Sequence, residues 1–182
     1  MKLFRKLNKI TIFVIFLSLL YSTTACAKKD KNYHKVTEIH DGDTITIVKE
    51  SFLGILLKTE KVRLIGIDAP ELEQEPWGRR AKNHLRKLIR DNNWQVRIEL
   101  DVQQRDKYGR LLAYVWDKKG NMINYLMIRN GYAMVYTVPP NVKYTELFVQ
   151  AQQLARKEKR GIWGKNGLPE TPSEWRKKNP RN

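Results

Sequence analysis

Hydrophobic and polar positions alternate over residues 34–40, the period of two that marks a half-buried strand. The alternation returns over 44–48, 59–67, 94–100 and 110–116, which predicts five strands in all. Asp41-Gly42-Asp43 separates the first two with a turn composition, and the stretch from Asp117 to Gly120 closes the last. Residues 51–57 are apolar where a hairpin loop is ordinarily polar. They read as a hairpin extension packed on its neighbours, with a tip that touches a partner or membrane as the alternative. The period changes to that of a helix over 78–91, where Ala81, Leu85, Leu88 and Ile89 share a face among six Lys and Arg residues. A short helix follows over 121–130, stopped by Gly131. A longer one follows over 142–160, with Leu147, Phe148, Ala151, Leu154 and Ala155 inward, a basic last turn, and Gly161 as its cap. From Gly164 on, Pro, Asn and charge dominate, so 165–182 reads as a flexible basic tail. Five short strands with a helix between the third and fourth predict an α+β, β-rich fold: a five-stranded barrel of the OB type with three helices.

The N-terminus carries a different pattern. Lys2, Arg5, Lys6 and Lys9 precede a mostly apolar run of 12 residues from Ile10 to Tyr21. A membrane-spanning helix needs about 20 apolar residues, so the run fits the core of a signal peptide. Ala25-Cys26-Ala27 supplies the small-x-small cleavage pattern, which makes residues 1–27 a signal peptide and 28–33 a charged linker. The expected destination is secreted, extracellular or periplasmic. The alternative is a lipoprotein signal ending at Cys26, with the lipidated cysteine and Lys28, Lys29 and Lys31 on an anionic membrane. An uncleaved anchor is a third reading.

Composition narrows the partner. The chain has 182 residues, with 35 Lys and Arg against 19 Asp and Glu, and a net charge of +16. Removing residues 1–27 takes away four basic residues and no acid, leaving +12, so the basicity belongs to the mature part. Such an excess points to a polyanion: nucleic acid, anionic lipid or an acidic polymer. A single cysteine excludes a disulfide framework within the chain, and Cys26, His34, His40 and His84 are too few for a Cys-rich zinc module.

Against that basic background, three acids stand at strand ends and turns: Asp43, Asp68 and Glu71. Hard oxygen donors of this kind suit Ca²⁺ or Mg²⁺. Each acid taken alone also fits a turn or a helix cap, and for Asp41 that is the better reading. Arg63 lies five residues before Asp68, on the opposite face of a regular strand, so a bend near Gly66 is needed to bring them together. Arg110 opens a later strand. A guanidinium can meet two phosphate oxygens at once, although the commonest fate of an arginine is a surface ion pair.

Asp41-Gly42-Asp43-Thr44, the stretch from Val62 through Arg63, Asp68 and Ala69 to Glu71, the stretch from Asp106 to Tyr114, and residues 151–163 together resemble the staphylococcal nuclease (thermonuclease) family. The resemblance spans about residues 34–164. It implies a Ca²⁺-dependent phosphodiesterase, an endonuclease acting on DNA and RNA with little sequence preference and leaving 3′-phosphate ends. By position, Asp43 and Asp68 would ligate the metal, with Ala69 contributing its backbone carbonyl and Asp41 standing behind them. Ala69 replaces the family's threonine, so a hydroxyl contact is lost. Arg63, Glu71 and Arg110 would be catalytic: Glu71 orients the attacking water and accepts its proton, and the arginines hold the phosphate. Lys107 and Tyr108 would contact a neighbouring phosphate. Tyr136 is the best candidate for base stacking, ahead of Tyr132 and Tyr144. The loop after Glu71 is shorter than in the type enzyme and carries Glu73 and Glu75. A monomer is expected. Two other readings are a nucleic-acid-binding barrel without catalysis and an envelope lipoprotein. The first gains nothing from three acids beside a polyanion site, and the second leaves the acid–arginine set unexplained.

Overall fold

The computed structural model describes residues 33–50 and 57–180. The expected signal peptide, its expected cleavage or lipidation point near Cys26, the expected linker up to residue 32 and the apolar stretch 51–56 lie outside the described residues. In chain order the elements are β1 (Tyr33–Ile39), β2 (Thr44–Glu50), β3 (Leu57–Leu64), β4 (Gly66–Asp68), α1 (Trp77–Arg90), β5 (Gln95–Arg105), β6 (Leu111–Trp116), α2 (Ile123–Arg129), β7 (Met134–Tyr136), α3 (Thr145–Lys157) and α4 (Pro172–Lys178). A 3₁₀ turn, Gly161–Trp163, separates the last two helices. Tyr33, expected in the linker, already pairs with Arg97 in the barrel.

The expected five-stranded closed barrel is present. Its strands run in the order β1-β2-β3-β6-β5, and β1 closes on β5. The β3–β6 pair is parallel and the others are antiparallel. Ile45 and Ile47 of β2, Val62 and Leu64 of β3, Val96 of β5, and Ala113 and Val115 of β6 are fully buried inside it. Val36 and Ile39 of β1 also face inward, although three positions apart in a strand should leave opposite faces. A bulge between Val36 and Glu38 supplies the extra residue that brings both to one side. At one end of the barrel, α1 contributes Ala81, Leu85 and Ile89, all at 0% exposure. Truncating such a leucine to alanine typically costs about 2–5 kcal/mol.

The strand expected over 59–67 is two strands. The break falls at Gly66, whose φ is +77°. A side chain there would sit 2.3 Å from the Phe148 ring of α3, so this glycine is required both by its backbone conformation and by the close approach. Past the break, β4 leaves the barrel wall and pairs antiparallel with β7, a strand the alternation does not predict because it is only three residues long. Asn124 of α2, fully buried, fastens the break. Its side-chain oxygen accepts the Val115 N–H at 2.9 Å, and its amide donates to the Ile65 carbonyl at 2.8 Å and the Ala113 carbonyl at 3.3 Å.

Two expectations about the C-terminal half need correction. α3 is shorter than 142–160, and of its five predicted inward residues Leu147 and Leu154 are exposed, while Phe148, Ala151 and Ala155 are buried. The buried stripe is therefore narrow and follows the i, i+3, i+7 positions alone. The expected flexible tail over 165–182 contains α4. Thr171 caps it in a reciprocal capping box with Glu174, and Pro172 follows the cap in the first turn. Its approach is held to the start of α1: the Trp77 indole N–H donates to the Asn166 carbonyl and the Gln74 amide to the Glu170 carbonyl, both at 3.2 Å.

Candidate active site

The turn before β2 builds the first half of the site. The Asp43 N–H donates to the Asp41 carboxylate at 2.9 Å, which folds residues 41–43 back on themselves. Gly42 is wedged here, because a side chain on it would lie 2.5 Å from the Ala69 methyl and 2.8 Å from the Ala81 methyl. That packing sets Asp43 against the end of β4. Its carboxylate accepts the Ala69 N–H at 2.9 Å and the Thr44 hydroxyl at 3.1 Å. Asp41 thus supports the turn, as one reading of the sequence proposed.

The break at Gly66 builds the second half. It turns Asp68 back toward Arg63, and one guanidinium nitrogen of Arg63, Nη2, lies 3.1 Å from Asp43 and 3.4 Å from Asp68. Nη1 donates to the Leu64 carbonyl at 2.6 Å and fixes the head group over the strand end. Burial pushes the Asp43 carboxyl up to about 7. Arg63 opposes that rise, Asp41 adds to it, the Ala69 N–H opposes it, and Asp68 adds to it.

Glu71 stands on the loop that joins β4 to α1. Its N–H donates to the Gln74 side chain at 3.0 Å, and its carbonyl is pressed against Gly78, where a side chain would come within 1.9 Å of that oxygen. On the far wall, the Asp106 carboxylate organises the turn into β6. Its Oδ1 accepts the N–H groups of Tyr108 and Arg110 at 2.9 and 3.0 Å, and its Oδ2 accepts Arg110 Nε at 2.6 Å. Burial raises the Asp106 carboxyl, but the hydrogen bonds from Arg110 outweigh it and hold the group below its usual range. That ion pair takes the Nε edge of the Arg110 guanidinium. Among the described residues no carboxylate pairs with its two terminal nitrogens.

These walls face one cleft of about 1100 Å³. Asp41, Asp43, Arg63, Asp68, Ala69 and Glu71 line it together with Lys107, Tyr108, Arg110 and Tyr136. Tyr108 is 72% exposed, with the Lys107 ammonium 5.0 Å and the Arg110 guanidinium 5.6 Å from its ring centre. Every candidate metal-binding, catalytic and phosphate-contacting residue named from the sequence therefore reaches the same space, and so does Tyr136.

The family whose members are described as staphylococcal nuclease homologues matches residues 61–165 of this chain. The thermonuclease of Staphylococcus hyicus is 34% identical over 148 residues, covering 79% of this chain and 82% of that protein. The thermonuclease of Staphylococcus intermedius is 41% identical over 133 residues, covering 70% and 74%. An uncharacterized endonuclease of Haemophilus influenzae is 33% identical over 166 residues, covering 91% and 85%. The chain belongs to the staphylococcal nuclease family.

In this family member the three tyrosines considered for stacking separate cleanly. Tyr136 sits opposite Gly66 in the β4–β7 pair and is half-exposed in the cleft. Tyr132 stacks on His84 with ring centres 4.1 Å apart. Tyr144 packs edge-on against Tyr114 at 4.6 Å and donates its hydroxyl to Glu99 at 2.9 Å. Both are committed to the fold rather than to the cleft.

Oxygen donors of the kind a hard divalent cation takes gather in the cleft. Asp43 and Asp68 are buried carboxylates within reach of one Arg63 nitrogen, and Asp41 and Glu71 add to the local negative charge. A positive group already stands in that field: the Arg176 guanidinium, which pairs with Asp68 and Glu71. Among the described residues no cluster of three or more His, Cys, Asp and Glu side chains is ready to hold a metal. Arg176, Gln74 and Gly78 are the site residues the sequence did not single out. Thr171 followed three residues later by Glu174 was the available signal for the helix that carries Arg176.

Proposed function

We propose that the chain is an exported, metal-dependent nuclease that hydrolyses phosphodiester bonds of DNA and RNA with little sequence preference. The observation that carries this reading is the convergence of Asp43, Asp68 and Glu71 with Arg63 and Arg110 in one cleft. Asp43, Asp68 and the Ala69 carbonyl would hold Ca²⁺, or another hard divalent cation. When bound, the cation supplies positive charge beside the diester and lowers the repulsion an incoming nucleophile meets. Glu71 orients a water molecule and accepts its proton. The water oxygen forms a bond to phosphorus as the bond from phosphorus to the 5′ oxygen breaks. The products are a 3′-phosphate and a 5′-hydroxyl, whose oxygen takes its proton from solvent. Arg63 and Arg110 meet the charge that grows on the phosphate oxygens, and a fixed guanidinium needs no reorganisation to do so. Lys107 and Tyr108 hold the adjoining stretch of backbone, and Tyr136 offers a face to a base. Export rests on the apolar run from Ile10 to Tyr21 and the Ala25-Cys26-Ala27 pattern. A lipid-anchored form starting at Cys26 differs from a soluble form starting at Lys28 by intact mass.

Incubation with DNA or RNA and Ca²⁺ should release fragments ending in 3′-phosphate, and a chelator should stop the release. Glu71→Gln should slow cleavage by about 100-fold or more while leaving DNA affinity within a few-fold. Retarded but uncut DNA under every divalent ion would replace the enzyme with a binding module.

A further inference from the structure

Arg176 lies outside all the motifs that carry the family resemblance, yet its guanidinium makes three hydrogen bonds to carboxylates of the cleft. Its Nη1 donates to Asp68 Oδ1 at 3.0 Å and to Glu71 Oε1 at 2.7 Å, and its Nη2 donates to Asp68 Oδ2 at 2.8 Å. Both oxygens of Asp68 are thereby engaged in the two-pronged geometry that a guanidinium favours. The Asp68 carboxylate is deeply buried, at 5% exposure, whereas the Arg176 side chain is 37% exposed, so the arginine is the partner that can leave.

The helix that presents it is short and held together locally. α4 is seven residues long and is closed on itself by the Thr171–Glu174 capping box and by the Lys178–Glu170 ion pair. Among the described residues, its only ion pairs to the rest of the domain are those from Arg176 to Asp68 and Glu71.

We propose that Arg176 is an internal counter-cation: it neutralises Asp68 and Glu71 until a divalent cation displaces it, and so sets the cation concentration at which the site assembles. This rests on the metal-dependent reading above. A dication on Asp68 and a guanidinium on both Asp68 oxygens compete for the same lone pairs and repel each other. Displacing Arg176 also breaks its ion pair with Glu71, which couples cation binding to the surroundings of the water-orienting carboxylate. The apparent dissociation constant is then the intrinsic one divided by the fraction of molecules with Arg176 withdrawn.

Calorimetric titration of Ca²⁺ into the protein, without nucleic acid, tests this. Arg176→Ala and a chain ending after Glu170 should each bind Ca²⁺ about tenfold more tightly than the parent. The truncation keeps the Gln74 and Trp77 contacts to residues 166–170, and thermal melting checks that both variants are folded. In the parent, Ca²⁺ should speed hydrogen exchange across residues 172–178. Unchanged or weaker Ca²⁺ binding in both folded variants would overturn the proposal and make Arg176 a structural or phosphate-binding residue. Absence of Ca²⁺ binding in parent and variants alike would overturn the metal-dependent reading itself, and the proposal with it.

Discussion

Arg110 shows what a single side chain is asked to do in this cleft. Asp106 anchors the guanidinium by its Nε edge, so the terminal nitrogens stay in one plane at one position. Lysine keeps the charge but cannot bridge two oxygens while remaining anchored. Arg110→Lys should therefore lower kcat/KM by about 100-fold or more at saturating Ca²⁺. Turnover within a few-fold of the parent would remove Arg110 from the phosphate-binding role. The candidate residues were legible because acids at strand ends are conspicuous in so basic a chain. Arg176 was not, because nothing in its own surroundings distinguishes it from Arg160 or Lys177. Only the path of the chain after Gly164 brings it to Asp68. Gln74 and Gly78 were hidden for a similar reason: their roles depend on how closely the loop after Glu71 approaches α1.

At the level of elements, the join between β3 and β4 matters most. Asn124 gives it three hydrogen bonds from a fully buried side chain. Asn124→Ala would take away the side-chain partners of the Val115 N–H and the Ile65 carbonyl, while the Ala113 carbonyl keeps the Ile65 N–H at 3.0 Å, and each buried group left unpaired costs about 1–3 kcal/mol. Urea unfolding should show a loss of about 2–4 kcal/mol, with the slope unchanged. A loss below about 0.5 kcal/mol would mean that the join holds without Asn124. The long periodic elements were readable, since burial of one face enforces the period. Two short ones were not. β7 takes its strand character from β4, and α4 owes its place to a cap and one arginine, in a segment whose Pro and charge content reads as loop.

Over the whole molecule, charge was the most legible property and mutual position the least. The exposed side of α1 carries Arg79, Arg80, Arg86, Lys87 and Arg90, in a chain whose net charge is +16. Capture of DNA should therefore be dominated by phosphate neutralisation. With chelator present to prevent cutting, log affinity should fall linearly with log salt, by about 0.9 for each phosphate neutralised on duplex DNA. Affinity insensitive to salt would contradict that account. The break at Gly66 carries a last implication. Arg63 and Asp68 are five residues apart, and they meet because the strand bends once between them. Adding or deleting one residue in that interval would send Asp68 to the other side of β4. Its length is thus a fixed dimension of the architecture while surface loops are free to drift, and in remote sequences the spacing is a better ruler for finding such a cleft than either charge alone.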